Sequence, residues 1–258
     1  MSQSLAGHLL DLDPQALHKA TTHPFLLAAA TASLPTSILT AWLAQDRLYA
    51  LSYVPFIGTL LSKCALSSSS DRSESLQWRI ADMLIDCLAN IRRELNLFED
   101  TARKQGWEEQ VFGPGGNGVR PRVQTRAYMD LFAGAAAAEK SVLVGMTALW
   151  ATEECYLRSW RYAAASIATP ERGDAAARDV MRTTFIPNWS SEVFEAFVRR
   201  LKGLVDELAQ GVAREEVERC EDAWRQVVWA EENFWPEVTG LQLQRDFVLA
   251  FPGARTEL

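Results

Sequence analysis

"ALWATEECYLRSWRY", residues 148–162, repeats apolar side chains three and four positions apart, the period of a buried helix, and interrupts them with two glutamates and a thiol. At about 100° per residue, Glu153 points into an arc made by Val142, Met146, Leu149, Trp150, Leu157 and Trp160, so it is expected to be buried. Glu154 points elsewhere, toward Thr147, Arg158 and Arg161, and an i,i+4 pair with Arg158 on a solvated face accounts for it. Cys155 falls on a third side with Val144 and Tyr162, where a small thiol packs inertly. Burying a carboxylate is costly unless it is hydrogen-bonded or holds a proton, so Glu153 asks for a partner or a ligand.

Outward from this helix, almost every long segment carries the same 3.6-residue period, and no run of alternating β-branched residues stands out. The fold class is therefore all-α. Helices are expected at about 13–20, from Pro24 to before Pro35, 37–63 with a bend near Pro55, 74–105 with Ser73 as a cap, 123–137, 139–167, 174–184, 190–210, 213–239 and 240–250. Residues 107–122, WEEQVFGPGGNGVRPR, form the one glycine-rich break. They lack the phosphate-cradle spacing and read as a surface loop. No composition shift marks a linker, so residues 1–258 are expected to form one domain of antiparallel helices joined by short loops.

The chain has 258 residues, 48% of them hydrophobic, enough for a substantial core. Its net charge of −7 argues against a nucleic-acid backbone or an anionic membrane as partner. The four cysteines are dispersed, without CxxC spacing, which suits a reducing, cytoplasmic setting. The N-terminus does not read as a secretory signal, and the most apolar stretch, about 48–62, is broken by Pro55 and Gly58 and is short for a bilayer. A homo-oligomer is compatible with all of this.

Two further helices set an acid in an aromatic surround. Asp46 projects between Trp42, Tyr49 and Tyr53, with Arg47 roughly 100° away. Glu231 centres a face made by Cys220, Trp224, Val227, Phe234 and Trp235, with Glu232 on its margin. Each acid alone has a structural explanation, a pairing with an arginine from another helix. If the three faces meet, they make an aromatic pocket in which carboxylates raise one another's pKa, an arrangement suited to acid/base chemistry on a nitrogen-containing ligand. A functional metal is not expected: no Glu-x-x-His pair occurs, and all three histidines lie within the first 23 residues. The same shortage leaves Cys64 and Cys155 without a histidine base.

The segments HPFLLAAATASLPTSILTAWLAQDRLYAL, RAYMDL, TALWATEECYLRSW, FIPNWSSEVFEAF and EENFW resemble, in order and spacing, the TenA (thiaminase II-like) family over about residues 20–240. The resemblance implies a haem-oxygenase-like bundle that binds no haem, needs no cofactor, and hydrolyses aminopyrimidines in thiamin salvage. Carried over by position, Asp46 matches the aspartate that binds the pyrimidine, Tyr49 and Tyr128 match pocket tyrosines, and Glu231 matches the acid/base glutamate. Trp42 and Tyr156 join the substrate-binding residues. Four residues before Tyr156, where better-known members carry a nucleophilic cysteine, stands Thr152, and Trp189 takes the place of a later tyrosine, removing one hydrogen bond to the ring. A branch of the family replaces the cysteine by a glutamate on this helix, and Glu153 fits that role, activating water in place of a thiolate. A non-catalytic pyrimidine-binding protein of the same fold and a helical interaction protein with structural acids are the alternatives.

Overall fold

The helix containing residues 148–162 starts where Ser141 turns its hydroxyl onto the Val144 N–H at 3.2 Å, a side-chain cap on an otherwise unpaired donor. In the computed structural model, which describes residues 3–68, 75–167 and 180–238, this helix runs Val142–Ala165. Before it come α1 (Leu5–Leu10), α2 (Pro14–Thr21), α3 (Pro24–Ala30), α4 (Thr36–Ser62), α5 (Leu76–Gln105), α6 (Glu108–Phe112) and α7 (Val123–Ala135), which makes it α8. After it come α9 (Ile186–Trp189), α10 (Glu192–Leu208) and α11 (Arg214–Phe234). Among the described residues there is no strand, and no helix is long and apolar enough to cross a membrane.

α8 is the hub, touching α2, α3, α9, α10 and α11, while α4 lies between α5 and α7. α4 and α8 approach closely because Gly145 has no side chain: a Cβ there would sit 2.2 Å from Leu60 Cδ2. The buried side chains form one continuous cluster, with Trp42, Trp150, Trp160, Trp189 and Trp224 among the largest fully buried members.

Several expected boundaries shift for local reasons. Helix α4 continues through Pro55, and since Leu51 and Pro55 are exposed, the backbone bond that proline forfeits lies on the solvent side. The loop at 107–122 contains α6, which the burial of Trp107 and Val111 anchors. Gly113 (φ +80°) then lets the chain fold back so tightly that a Cβ would lie 2.1 Å from the Gly118 carbonyl oxygen. Helix α5 is capped by Ser75, and the Ser73 expectation lies outside the described residues. Of the helix expected at 174–184, only the end is described, as a π-helical turn, Met181–Phe185, that leads into α9. The expected piece at 240–250 also lies outside the described residues. Helix α1 was not anticipated: six residues hold too little periodicity to be read.

Candidate functional site

On α4, the apolar positions Leu39, Trp42, Leu43, Ala50, Tyr53 and Ile57 face inward, and Asp46 stands among them, 3% exposed. Tyr156, on α8, donates its hydroxyl to Asp46 Oδ2 at 3.0 Å. Burial pushes the Asp46 carboxyl well above its ordinary range. Glu94 and Glu231 add to the rise, and the Tyr156 bond opposes it.

Glu153 points into the same space. Tyr53 donates to its Oε1 at 2.7 Å, and burial, with Glu94 close by, raises its pKa to about 8 against the pull of that bond. Its surface is only partly covered, although protein surrounds it on all sides, because it faces a small interior cavity. Asp46, Tyr49 and Tyr53 from α4, Glu94 from α5, and Glu153 and Tyr156 from α8 line that cavity. Its volume is about 20 Å³, enough for roughly one water and far below the few hundred Å³ of a formed ligand pocket. Two larger depressions, about 810 and 730 Å³, open on the surface, but the first, around Gln3, His8 and Asp206, holds none of these acids. The second has Glu94 on its wall.

Glu231 and Tyr128, expected on the cavity wall, stand one layer back. Tyr128 donates to Glu231 Oε1 at 2.6 Å, and its ring meets the Tyr49 ring edge-on at 4.8 Å, so the phenols separate Glu231 from the cavity. Burial raises Glu231 to about 7, and the Tyr128 bond resists. Trp42 is displaced further from its expected place. It packs edge-on against Trp160, Phe185 and Trp189 at 5.7–6.3 Å, in an aromatic layer behind Asp46, because its position one turn earlier on α4 points toward α9.

Glu94 was missed, although its signal was present: Cys87, Ile91, Leu95 and Phe98 are buried on one stripe of α5, and Glu94 falls on that stripe. Burial raises it to about 7, while a hydrogen bond from Trp189 Nε1 and the nearby Arg93 hold it down. Each of the four acids thus accepts a hydrogen bond from an aromatic donor. None is paired with a basic side chain among the described residues; Arg47, next to Asp46 in sequence, binds Glu99 at 3.0 Å instead.

The neighbours on α8 divide as their directions require. Glu154 pairs with Arg158 at 2.7 Å, though with 13% of its side chain exposed it is more covered than a solvated face implies, the arginine lying against it. Cys155 is fully buried, and its thiol is pushed well up, first by desolvation and then by Glu231, which keeps it protonated. Thr152, also buried, donates to the Leu149 carbonyl at 2.7 Å. Its hydroxyl lies close enough to Tyr49 to pull that phenol's pKa down against a much larger rise from burial. No group of three or more His, Cys, Asp or Glu side chains among the described residues is arranged to hold a metal ion.

Comparison with known proteins places this architecture. The model of the TENA/THI-4/PQQC family matches residues 11–240. A probable transcription factor of Fusarium pseudograminearum (strain CS3096) is 32% identical over 271 residues, covering 93% of this chain and 53% of that protein, so the chain spans about half the length of that relative. A probable bifunctional TENA-E protein of Glycine max is 24% identical over 216 residues, covering 84% of this chain and 85% of its own length. Among solved structures, a TenA homologue from Pyrococcus furiosus superposes with a TM-score of 0.72 at 22% identity, over 90% of this chain and 98% of its own. A TenA family transcription regulator from a Silicibacter species gives 0.71 at 15% identity, over 90% and 94%. The fold is the all-helical, haem-oxygenase-like bundle of those structures.

Proposed function

Since this chain belongs to the TENA/THI-4/PQQC family, we propose that it has a thiamin-related role, hydrolysing a C–N bond of 4-amino-5-aminomethyl-2-methylpyrimidine or its N-formyl derivative without a thiolate. In these terms it is a member of the branch in which a glutamate on α8 replaces the nucleophilic cysteine. The observation that carries the reading is the set of three acids on one interior cavity, Asp46, Glu94 and Glu153, with Glu231 one layer behind, each held by an aromatic donor and none paired with a basic side chain among the described residues. Asp46 accepts from the ring's exocyclic amine, Tyr49 and Tyr156 flank the ring, and Glu153 and Glu231 exchange protons with water and the leaving nitrogen.

For the formyl derivative, water adds to the formyl carbon while one carboxylate takes its proton. The C–N bond then breaks, and the other carboxyl protonates the departing nitrogen, leaving formate and the amine. Burial raises both glutamates, Glu153 to about 8 and Glu231 to about 7, so near neutral pH the pair holds a proton that one member can donate while the other accepts. A cavity of about 20 Å³ must widen to take the ring, and displacement of the Tyr49 and Tyr128 rings would both widen it and uncover Glu231. Thr152 has no thiolate form and no base, so the ring addition that thiamin cleavage needs is disfavoured.

Two relatives bear the names of transcription proteins. The Fusarium protein is matched over only 53% of its length, and a net charge of −7 disfavours contact of this chain with phosphate backbones. The test is turnover of three compounds by purified protein: thiamin, the free aminopyrimidine and its formyl derivative. Hydrolysis of either pyrimidine amine with a bell-shaped pH profile between about 7 and 8, set by the glutamate pair, is expected. Efficient thiamin cleavage refutes the proposal, and tight binding of the aminopyrimidine with no turnover favours a binding protein.

A further inference from the structure

Glu94 belongs to two spaces at once. It lines the inner cavity with Asp46 and Glu153, and it lines the surface groove of about 730 Å³ between α5 and α10. Trp189, on the same groove, donates its indole N–H to Glu94 Oε1. The indole itself has little freedom: it stacks on Trp160 at 4.9 Å and on Phe185 at 5.4 Å, and meets Tyr156 edge-on at 5.1 Å. Tyr156 in turn holds Asp46. Glu94 is thus held by a residue of the groove wall, with one carboxylate oxygen committed to Trp189 and the other not hydrogen-bonded to any described side chain.

What such a carboxylate would receive follows from its surroundings. The cavity wall presents three carboxyl groups and three phenols, all of which can accept a hydrogen bond and none of which is a permanent cation. A neutral hydroxyl or amide on the ligand leaves an ionised Glu94 uncompensated, whereas an ammonium donates up to three hydrogen bonds and cancels its charge. The groove's lining carries Arg200, paired with Asp86 at 3.2 Å, and Arg93 beside Glu94, whereas the cavity lining holds no basic side chain, so the excess of acid lies on the cavity side of Glu94.

We propose that Glu94, aimed by Trp189, is the specificity-determining residue that receives the protonated aminomethyl group of an aminopyrimidine arriving through the groove between α5 and α10. This rests on the aminopyrimidine reading of the cavity and narrows it: the free amine, a cation, is preferred over neutral ring analogues. Trp189 acts through Glu94 and is a positioning residue. The replacement of a family tyrosine by tryptophan then has a consequence, since a hydrogen bond lost to the ring is redirected to a carboxylate that meets the ring's substituent. A pKa of about 7, kept from rising further by Trp189 and Arg93, leaves Glu94 mostly ionised in mildly alkaline solution.

The test compares two probes with the same ring at pH 8, 4-amino-5-aminomethyl-2-methylpyrimidine and 4-amino-5-hydroxymethyl-2-methylpyrimidine, by rapid-mixing tryptophan fluorescence read before turnover. The unaltered protein should bind the amine about ten- to a hundredfold more tightly, the scale of one hydrogen bond to a charged group. Glu94→Gln should abolish that preference while holding the hydroxymethyl affinity within about twofold. Trp189→Phe, which keeps the ring and removes the N–H, should reduce the preference in part. An undiminished preference in Glu94→Gln, or an equal loss for both probes, overturns the assignment. Binding of neither probe by the unaltered protein overturns the aminopyrimidine reading, and this inference with it.

Discussion

Replacing Glu153 by glutamine should change the pH dependence of stability in a calculable way. In the folded chain its carboxyl titrates near 8, against an ordinary value of 4.5, with desolvation as the main cause. A folded-state pKa raised above the unfolded one means a contribution to stability that is complete below about pH 4.5 and is lost as pH rises through 8. At about 1.36 kcal/mol per pH unit, the loss due to this one group between pH 5 and pH 9 is about 4 kcal/mol, a large part of a typical 5–15 kcal/mol. Glutamine keeps the shape and an oxygen that can accept from Tyr53, but it does not titrate. Urea unfolding of both proteins at pH 5, 7 and 9 reads the effect, since titrating groups remote from the cavity cancel in the comparison. Glu153→Gln should be close to the unaltered protein at pH 5 and more stable at pH 9 by an amount approaching that figure, while losing turnover. Parallel stability curves at all three pH values would show that Glu153 is not held protonated by its surroundings, and the acid/base role would fall with it.

Other outcomes can be checked independently. Glu153→Gln should lower kcat by roughly a hundredfold or more, while Glu154→Gln, whose partner is Arg158, and Cys155→Ser, whose thiol stays protonated, should stay near the unaltered rate; equal losses at 153 and 155 would contradict the directions seen on α8. Tyr128→Phe removes the 2.6 Å bond that holds Glu231 down, so the acidic limb of the pH–rate profile should move upward by about one to two pH units, and an unmoved limb would remove Glu231 from catalysis. Gly145→Ala forces a Cβ to within 2.2 Å of Leu60 and should cost about 1–3 kcal/mol by thermal or urea unfolding, less when combined with Leu60→Ala than the two separate losses imply. Additive losses would mean that α4 and α8 do not meet there.

Helix existence and the inward direction of Asp46 and Glu153 were legible in the sequence because both depend on the chain's own 3.6-residue period. The same rule was sufficient for Glu94, which falls on the stripe through Cys87, Ile91 and Phe98, but a single acid on a long amphipathic helix reads equally well as a tolerated core residue. Helix α6 and the π-helical turn were not legible, since one is held by the tertiary burial of Trp107 and Val111 and the other departs from the period on which the reading relies.

What the sequence determined by itself was an all-helical chain with acids on apolar faces, because hydrophobic periodicity acts over a few residues. The tertiary structure alone decided which faces meet. A helical wheel gives direction about one axis and nothing about the depth or rotation of the neighbouring helix. For that reason Trp42, one turn from Asp46, turns to the aromatic layer around Trp189. Glu231 sits behind Tyr128 instead of on the cavity wall. Tyr53, beside Asp46 on the helical wheel, gives its hydroxyl to Glu153 on the facing helix. These hydrogen bonds join residues about a hundred positions apart, and only the packing of α4 on α8 and of α7 on α11 brings them within reach.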